Sequence, residues 1–219
     1  NIKNECSDEI SQEKYVICSV EDSKFIINNN NFKVCIKESK LLGNHNELNI
    51  AAAFAAFRCL DISFSNYQDV IKSFNGAPHR IEWIRDVNGI KFYNDSKATN
   101  VASTIAALQF FKGKNIFLIA GGDSKRLSME PLKKYLNKNV SHLFLIGKDA
   151  LVIKKIFLKL NNLKISICKD LTVAVTEAFD HATVGDIILL SPSCSSHDMY
   201  QNYVERGEHF NKIVRSLKN

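Results

Sequence analysis

From Asn115 onward, short apolar runs alternate with helical stretches, and this rhythm constrains the chain more than any other feature. Asn115 to Ala120, Ser141 to Ile146, Leu163 to Ile167 and Asp186 to Leu190 are compact and apolar on both faces, as buried parallel strands are. Helical stretches near 100–111, 128–137, 149–160 and 171–181 separate them, and a last helix spans about 202–217. Strand–helix–strand alternation of this kind builds a Rossmann-like, doubly wound, mostly parallel α/β sheet with helices on both faces. Ligands of such sheets sit beyond the carboxyl ends of the strands.

Upstream the rhythm differs. Ile81 to Val87 and Ile90 to Tyr93 flank Asn88-Gly89, a strong hairpin signal, so the sheet should begin there. Asn75-Gly76-Ala77-Pro78 breaks the chain and divides residues 1–77 from 78–219. The first part reads as a meander of short strands, Lys14 to Ser19, Lys24 to Ile27 and Phe32 to Ile36. An Ala-rich helix from Asn46 to Phe57 follows, then a second helix from Tyr67 to Phe74.

Composition excludes several classes. The chain of 219 residues is 45% hydrophobic and 24% charged, an ordinary globular balance. The longest purely apolar run, Ile50 to Phe57, falls far short of the roughly 20 residues a membrane span needs, so no membrane role is expected. No basic-then-apolar leader opens the chain, which begins at Asn1 and reads as a fragment or a processed product. The formal charge of +6 invites a nucleic-acid reading. Only six of the 29 cations are Arg, however, and the Lys residues form no stripe interleaved with aromatics, so no nucleic-acid partner is expected. Six well-separated Cys residues, at 6, 18, 35, 59, 168 and 194, show no CxxC spacing and read as reduced thiols in a cytoplasmic protein.

Three strand ends carry chemistry. Asn94-Asp95-Ser96-Lys97-Ala98-Thr99-Asn100 leaves a strand and opens a helix, where free N–H groups and the dipole favour an anion. A helix cap by Ser96 or Thr99 accounts for one polar residue there, not for six. Gly121-Gly122-Asp123-Ser124-Lys125 lacks the spacing of a phosphate loop, and no such loop or GxGxxG occurs elsewhere, so it reads as a flexible end presenting Lys125. In Ser191 to Ser196, a nucleophilic Cys194 or Ser would need a base, and the spacing supplies none. The small residues there let backbone approach a ligand, with Ser196 offering its hydroxyl.

Together with Gly43 to Asn49, Pro78-His79-Arg80 and the run from Leu190 to Gly207, these ends resemble the carboxyl-terminal domain of the bacterial Mur ligases over residues 43–210. The Asn94 to Asn100 run is similar to that of the branch that adds D-glutamate. The resemblance implies an ATP-dependent amide ligase of cytoplasmic peptidoglycan synthesis, with UDP-N-acetylmuramoyl-L-alanine, D-glutamate and ATP as its small-molecule substrates. It implies catalytic roles for Arg80, Lys97 and Lys125, and nucleotide contacts by Asn46, Asn49, Arg80 and Asp95. D-Glutamate would lie among Lys97, Thr99, Lys125, Ser196, His197 and Tyr203, where His197 replaces an expected apolar residue and Tyr203 adds a hydroxyl to an expected aromatic. Residues 1–77 are then the closing piece of a central ATP-binding domain. Its phosphate loop and Mg2+ ligands would lie in a missing half, encoded upstream or carried by a separate chain, and no metal ligand is expected here. A binding module without catalysis, or a relative of folylpolyglutamate synthase, is the alternative. An oxidoreductase lacks its glycine fingerprint.

Overall fold

The computed structural model describes residues 18–21, 24–27, 49–50, 52–53, 56, 64–74, 76–160 and 162–218. The chain divides into two compact units, Asn1–Asn75 and Gly76–Asn219. In the first, strands β1 (Cys18–Glu21) and β2 (Lys24–Ile27) pair antiparallel, and helix α1 spans Phe64–Ser73. Residues 49, 50, 52, 53 and 56 are helical, inside the expected Ala-rich helix. Asn46 and the expected strand at Phe32 to Ile36 lie outside the described residues.

The second unit opens with the hairpin β3 (Glu82–Val87) and β4 (Ile90–Asn94). Asn88 and Gly89 both take positive φ, 51° and 77°, which matches the right-handed twist of the flanking strands. Ile81, expected in the strand, instead has φ 49° and stands before it. The alternation then runs α2 (Val101–Phe110), β5 (Ile116–Gly121), α3 (Lys133–Asn139), β6 (Val140–Ile146), α4 (Ala150–Phe157), β7 (Lys164–Ile167), α5 (Leu171–His181), β8 (Ile187–Leu190) and α6 (Tyr203–Ser216). The single helix expected over 128–137 is a 3-10 turn at Glu130–Leu132 followed by α3, because Pro131 fixes the start of the turn and cannot donate further along it.

The sheet order is β3-β4-β8-β5-β6-β7, with only β3 antiparallel. The last strand thus inserts between β4 and β5, and all three polar strand ends fall on adjacent strands. Alternate side chains of β5 feed two cores. Leu118 and Ala120 join Leu108, Leu143, Leu145 and Phe157 beneath α2, α3 and α4. Phe117 and Ile119 join Phe92, Phe144, Leu171 and Phe210 beneath α5 and α6. Each fully buried aromatic or aliphatic side chain is worth about 1.5–3 kcal/mol of burial. With both faces covered, the polar chemistry is confined to the strand ends.

Candidate carboxylate-binding site at the carboxyl ends of β4, β8 and β5

The three ends are sewn together by backbone. The Asp95 amide donates to the Leu190 carbonyl (2.7 Å), and the Gly121 amide donates to the Pro192 carbonyl (2.9 Å). Asp123 and Ser195 then form a two-way bridge of 3.1 and 2.9 Å. Gly122 makes this approach feasible: it has φ 127°, and a Cβ there would stand 2.2 Å from the Ser195 carbonyl oxygen. The loops bearing Lys125 and Ser196 are therefore one assembly.

A buried arginine fastens the third loop to them. Arg206, 1% exposed in α6, donates from Nη2 to the carbonyls of Ser96 (2.9 Å) and Cys194 (3.2 Å) and from Nε to Ser96 Oγ (3.1 Å). Burial lowers its pKa to about 10, still charged at neutral pH. Ser96 Oγ in turn donates to the Tyr203 carbonyl at 2.7 Å. Beside it, Asn94 Nδ2 donates to His79 Nδ1, the Gly207 carbonyl and Asn211 Oδ1, while its Oδ1 accepts from the Ser96 amide. The turn after β4 is thus locked to α6 by Asn94 and Ser96, leaving Lys97 to project. The helix cap is neither Ser96 nor Thr99: Asn100 caps α2, its side chain accepting from the Ser103 amide.

Lys97 and Tyr203, far apart in sequence, meet. The Lys97 ammonium donates to the Tyr203 hydroxyl at 2.9 Å and lies 4.3 Å from its ring centroid, a cation held by both hydroxyl and π face. Both are half-buried, Thr99 and His197 are exposed, and Ser196 is buried at 2% exposure. Lys125 is exposed, with φ 51° and its amide bonded to Asp123 Oδ1 at 2.8 Å. The Asp123 carboxylate pairs with Lys148 at 3.4 Å, and among the described residues the Lys125 ammonium forms no ion pair within 4 Å, though its charge helps lower the Asp123 pKa. Arg80 is exposed beside Ile81, and Asn49 is an exposed helical residue of the first unit.

Among the described residues, Asp95 is the most perturbed carboxylate. It is 6% exposed, accepts from Ser191 Oγ at 2.7 Å and from the Ile81 amide at 3.3 Å, and its pKa is raised to about 7 by burial, against the pull of those two donors and of Arg80. Because the folded pKa exceeds the unfolded value, this group's contribution is fully present below about pH 4 and is lost as the pH rises toward about 7. Denaturant titrations across that window should show a shallower pH slope in Asp95→Asn than in the parent chain. An unchanged slope would remove Asp95 as the titrating group. Burial also pushes the Cys194 thiol to about 12, so it stays protonated and is no nucleophile, as its sequence setting implied.

Arg206 and Asn211 are the residues that sequence reasoning passed over. The available signal was spacing: they share with Phe210, Ile213 and Val214 the buried stripe of α6, so a charge and an amide occupied core-facing positions.

The second unit is a doubly wound α/β fold whose strand ends at β4 and β5 carry the Lys97 and Lys125 ammonium groups. The pattern of the Mur ligase glutamate ligase domain matches residues 79–194, and the chain belongs to the Mur ligase family. It is 39% identical over 196 residues to UDP-N-acetylmuramoylalanine–D-glutamate ligase of Clostridium tetani, covering 86% of this chain and 42% of that protein. The same-named protein of Pseudoalteromonas translucida is 35% identical over 97% of this chain and 47% of its own length. The chain thus spans less than half the length of these curated relatives. Among solved structures it resembles UDP-N-acetylmuramate–alanine ligase of Thermotoga maritima, with a TM-score of 0.61, 16% identity, and coverage of 92% of this chain and 45% of that one. It also resembles folylpolyglutamate synthase of the same organism, with a TM-score of 0.60, 13% identity, and coverage of 89% and 44%. These likenesses report the fold.

Proposed function

We propose that this chain supplies the amino-acid-binding part of an ATP-dependent ligase that joins D-glutamate to UDP-N-acetylmuramoyl-L-alanine. The observation that carries the reading is the assembly of Lys97, Tyr203, Lys125 and Ser196 on three adjacent strand ends, in a chain about 39% identical to ligases named for that reaction. D-Glutamate brings two carboxylates and one amine. Lys97 with Tyr203 and Thr99 would hold one carboxylate and Lys125 the other, with Ser196 and the backbone at His197 completing the cradle. The amine then points away from the ammonium groups, toward the activated acid.

In the reaction proposed, the carboxylate of the nucleotide substrate takes a phosphoryl group from ATP, giving an acyl phosphate. The D-glutamate amine attacks that carbonyl, the C–N bond forms, the C–O bond to phosphate breaks, and the amine's proton is lost. Arg80 would steady the phosphate being transferred, and Asp95, with Asn46 and Asn49, would contact ATP. Asp95 also accepts from Ser191 Oγ and the Ile81 amide, which ties it to the segment that bears Arg80. Mg2+ would neutralise charge on the phosphates. Among the described residues no group of three or more His, Cys, Asp or Glu side chains could hold a metal.

Positioning and charge neutralisation do most of the work in phosphoryl transfer. The 219-residue chain alone, given ATP, Mg2+, D-glutamate and the nucleotide substrate, is therefore expected to release no phosphate above background, yet to bind D-glutamate in preference to L-glutamate. Phosphate release by the purified chain, or equal binding of the two enantiomers, would show the reading wrong.

A further inference from the structure

The chain's positive charge is concentrated in one stretch of its sequence. Between Asp149 and Asp170 lie five Lys residues (154, 155, 159, 164 and 169) and no acid, so this stretch holds +5 of the net +6 and the other 199 residues carry only +1. The stretch forms α4, its C-terminal turn and the edge strand β7; Lys154, Lys155 and Lys159 belong to α4 and that turn, whereas Lys164 lies on the other side of the sheet, opposite His142. None of the five ammonium groups pairs with a carboxylate among the described residues, where Lys91, Lys133 and Lys148 do.

The outer face of α4 is unusually apolar. Ala150, Ile153 and Phe157 turn inward against the sheet, while Leu151, Val152 and Leu158 turn outward and are 65%, 56% and 61% exposed. Leu158 still has right-handed helical dihedrals, so Leu151, Lys155 and Leu158 follow one another at i, i+4 and i+7 along the outer surface. Lys159 and Val152 flank that line on one side and Lys154 on the other. Ile167 on β7, 42% exposed, lies on the same side of the sheet as Ile165, which packs into the core under α4.

We propose that this face docks on an anionic lipid surface, with Leu151, Val152 and Leu158 entering the headgroup boundary and the lysines meeting lipid phosphates. The occupant is argued from charge and composition. A second copy would bring Lys154, Lys155 and Lys159 against the same three charges, which repels. A nucleic acid would be met by Arg forks and aromatic platforms, and the face has neither. Lysines interleaved with exposed aliphatic side chains fit a surface that is anionic outside and apolar beneath. The earlier expectation of no membrane role rested on the lack of a spanning segment, and no described helix is long and apolar enough to span. Lying on a surface requires none.

The test is co-sedimentation of the 219-residue chain with vesicles of phosphatidylcholine containing about one-third phosphatidylglycerol, against pure phosphatidylcholine, at low and high salt. Binding to the anionic vesicles only, weakening with salt, is expected. Each lysine should contribute about fivefold, so the combined Lys154→Glu, Lys155→Glu and Lys159→Glu variant should lose at least about 100-fold. A control with the same net charge, Lys112→Glu, Lys114→Glu and Lys138→Glu, should change binding far less. Leu151→Ser with Leu158→Ser, at exposed positions that leave the core intact, should lose about tenfold for vesicles and nothing for polyaspartate. The proposal is overturned by no binding to anionic vesicles, by equal loss in the control, by leucine variants that bind undiminished, or by a single-stranded oligonucleotide that binds more tightly than the vesicles.

Discussion

Arg206→Met is expected to lower the melting temperature of the chain by about 6–12 °C. The guanidinium is almost wholly buried and donates to two carbonyls and one hydroxyl drawn from two different loops. Methionine fills much of the same volume but donates nothing, so the carbonyls of Ser96 and Cys194 are left buried and unpaired. Each such group costs about 1–3 kcal/mol. Relief from burying a charge offsets part of this, leaving about 3 kcal/mol, and a unit of this size loses about 2–4 °C per kcal/mol. Arg206→Lys should recover little, because one ammonium cannot reproduce a fork that serves both loops. Thermal scans of the three proteins decide the matter, and a methionine variant melting within 2 °C of the parent would leave the fastening role without support.

Lys97→Met is expected to weaken D-glutamate binding by about 1.5–3 kcal/mol, the worth of a charge-assisted hydrogen bond, or roughly 10- to 150-fold. Lys125→Ala should cost a similar amount, because a two-carboxylate ligand needs a cation at each end. The two lysines differ in what surrounds them. Lys97 is held on the ring and hydroxyl of Tyr203, so Tyr203→Phe keeps the π face, loses the hydroxyl, and should cost less than about 1 kcal/mol. Lys125 has no such holder, and its cost should fall steeply with salt. Calorimetric titration of each variant with D-glutamate separates these outcomes. If Lys97→Met binds as tightly as the parent, the carboxylate lies elsewhere and the map of the site must be redrawn.

Much of the second unit is legible in its sequence because its determinants are local. Asn88-Gly89 dictates a two-residue turn, apolar runs dictate buried strands, and Asp170 and Asn202 mark helix starts. The insertion of β8 between β4 and β5 is non-local. No residue near 187–190 announces its neighbours, yet that insertion alone brings Lys97, Lys125 and Ser196 to one edge. The contact of Lys97 with Tyr203 spans 106 residues and is equally silent. Arg206 escapes notice for a different cause: in sequence it is one more helical cation, and only its phase on α6 sets it apart. At the start of α2, Ser96, Thr99 and Asn100 are all capable caps in sequence; the structure gives the cap to Asn100 and commits Ser96 to Arg206 and Tyr203.

The segment before β3 is not a slack string. The His79 carbonyl accepts from the Lys97 amide at 3.1 Å, the His79 amide reaches Glu82, and the Ile81 amide reaches Asp95. His79, at φ 62°, lies against Gly207, where an added Cβ would come within 2.4 Å of the imidazole. Mechanically, residues 79–81 act as a welded bracket. Displacing these three residues therefore means breaking bonds to the Lys97 amide and the Asp95 carboxylate, as a bracket cannot shift without pulling its own screws.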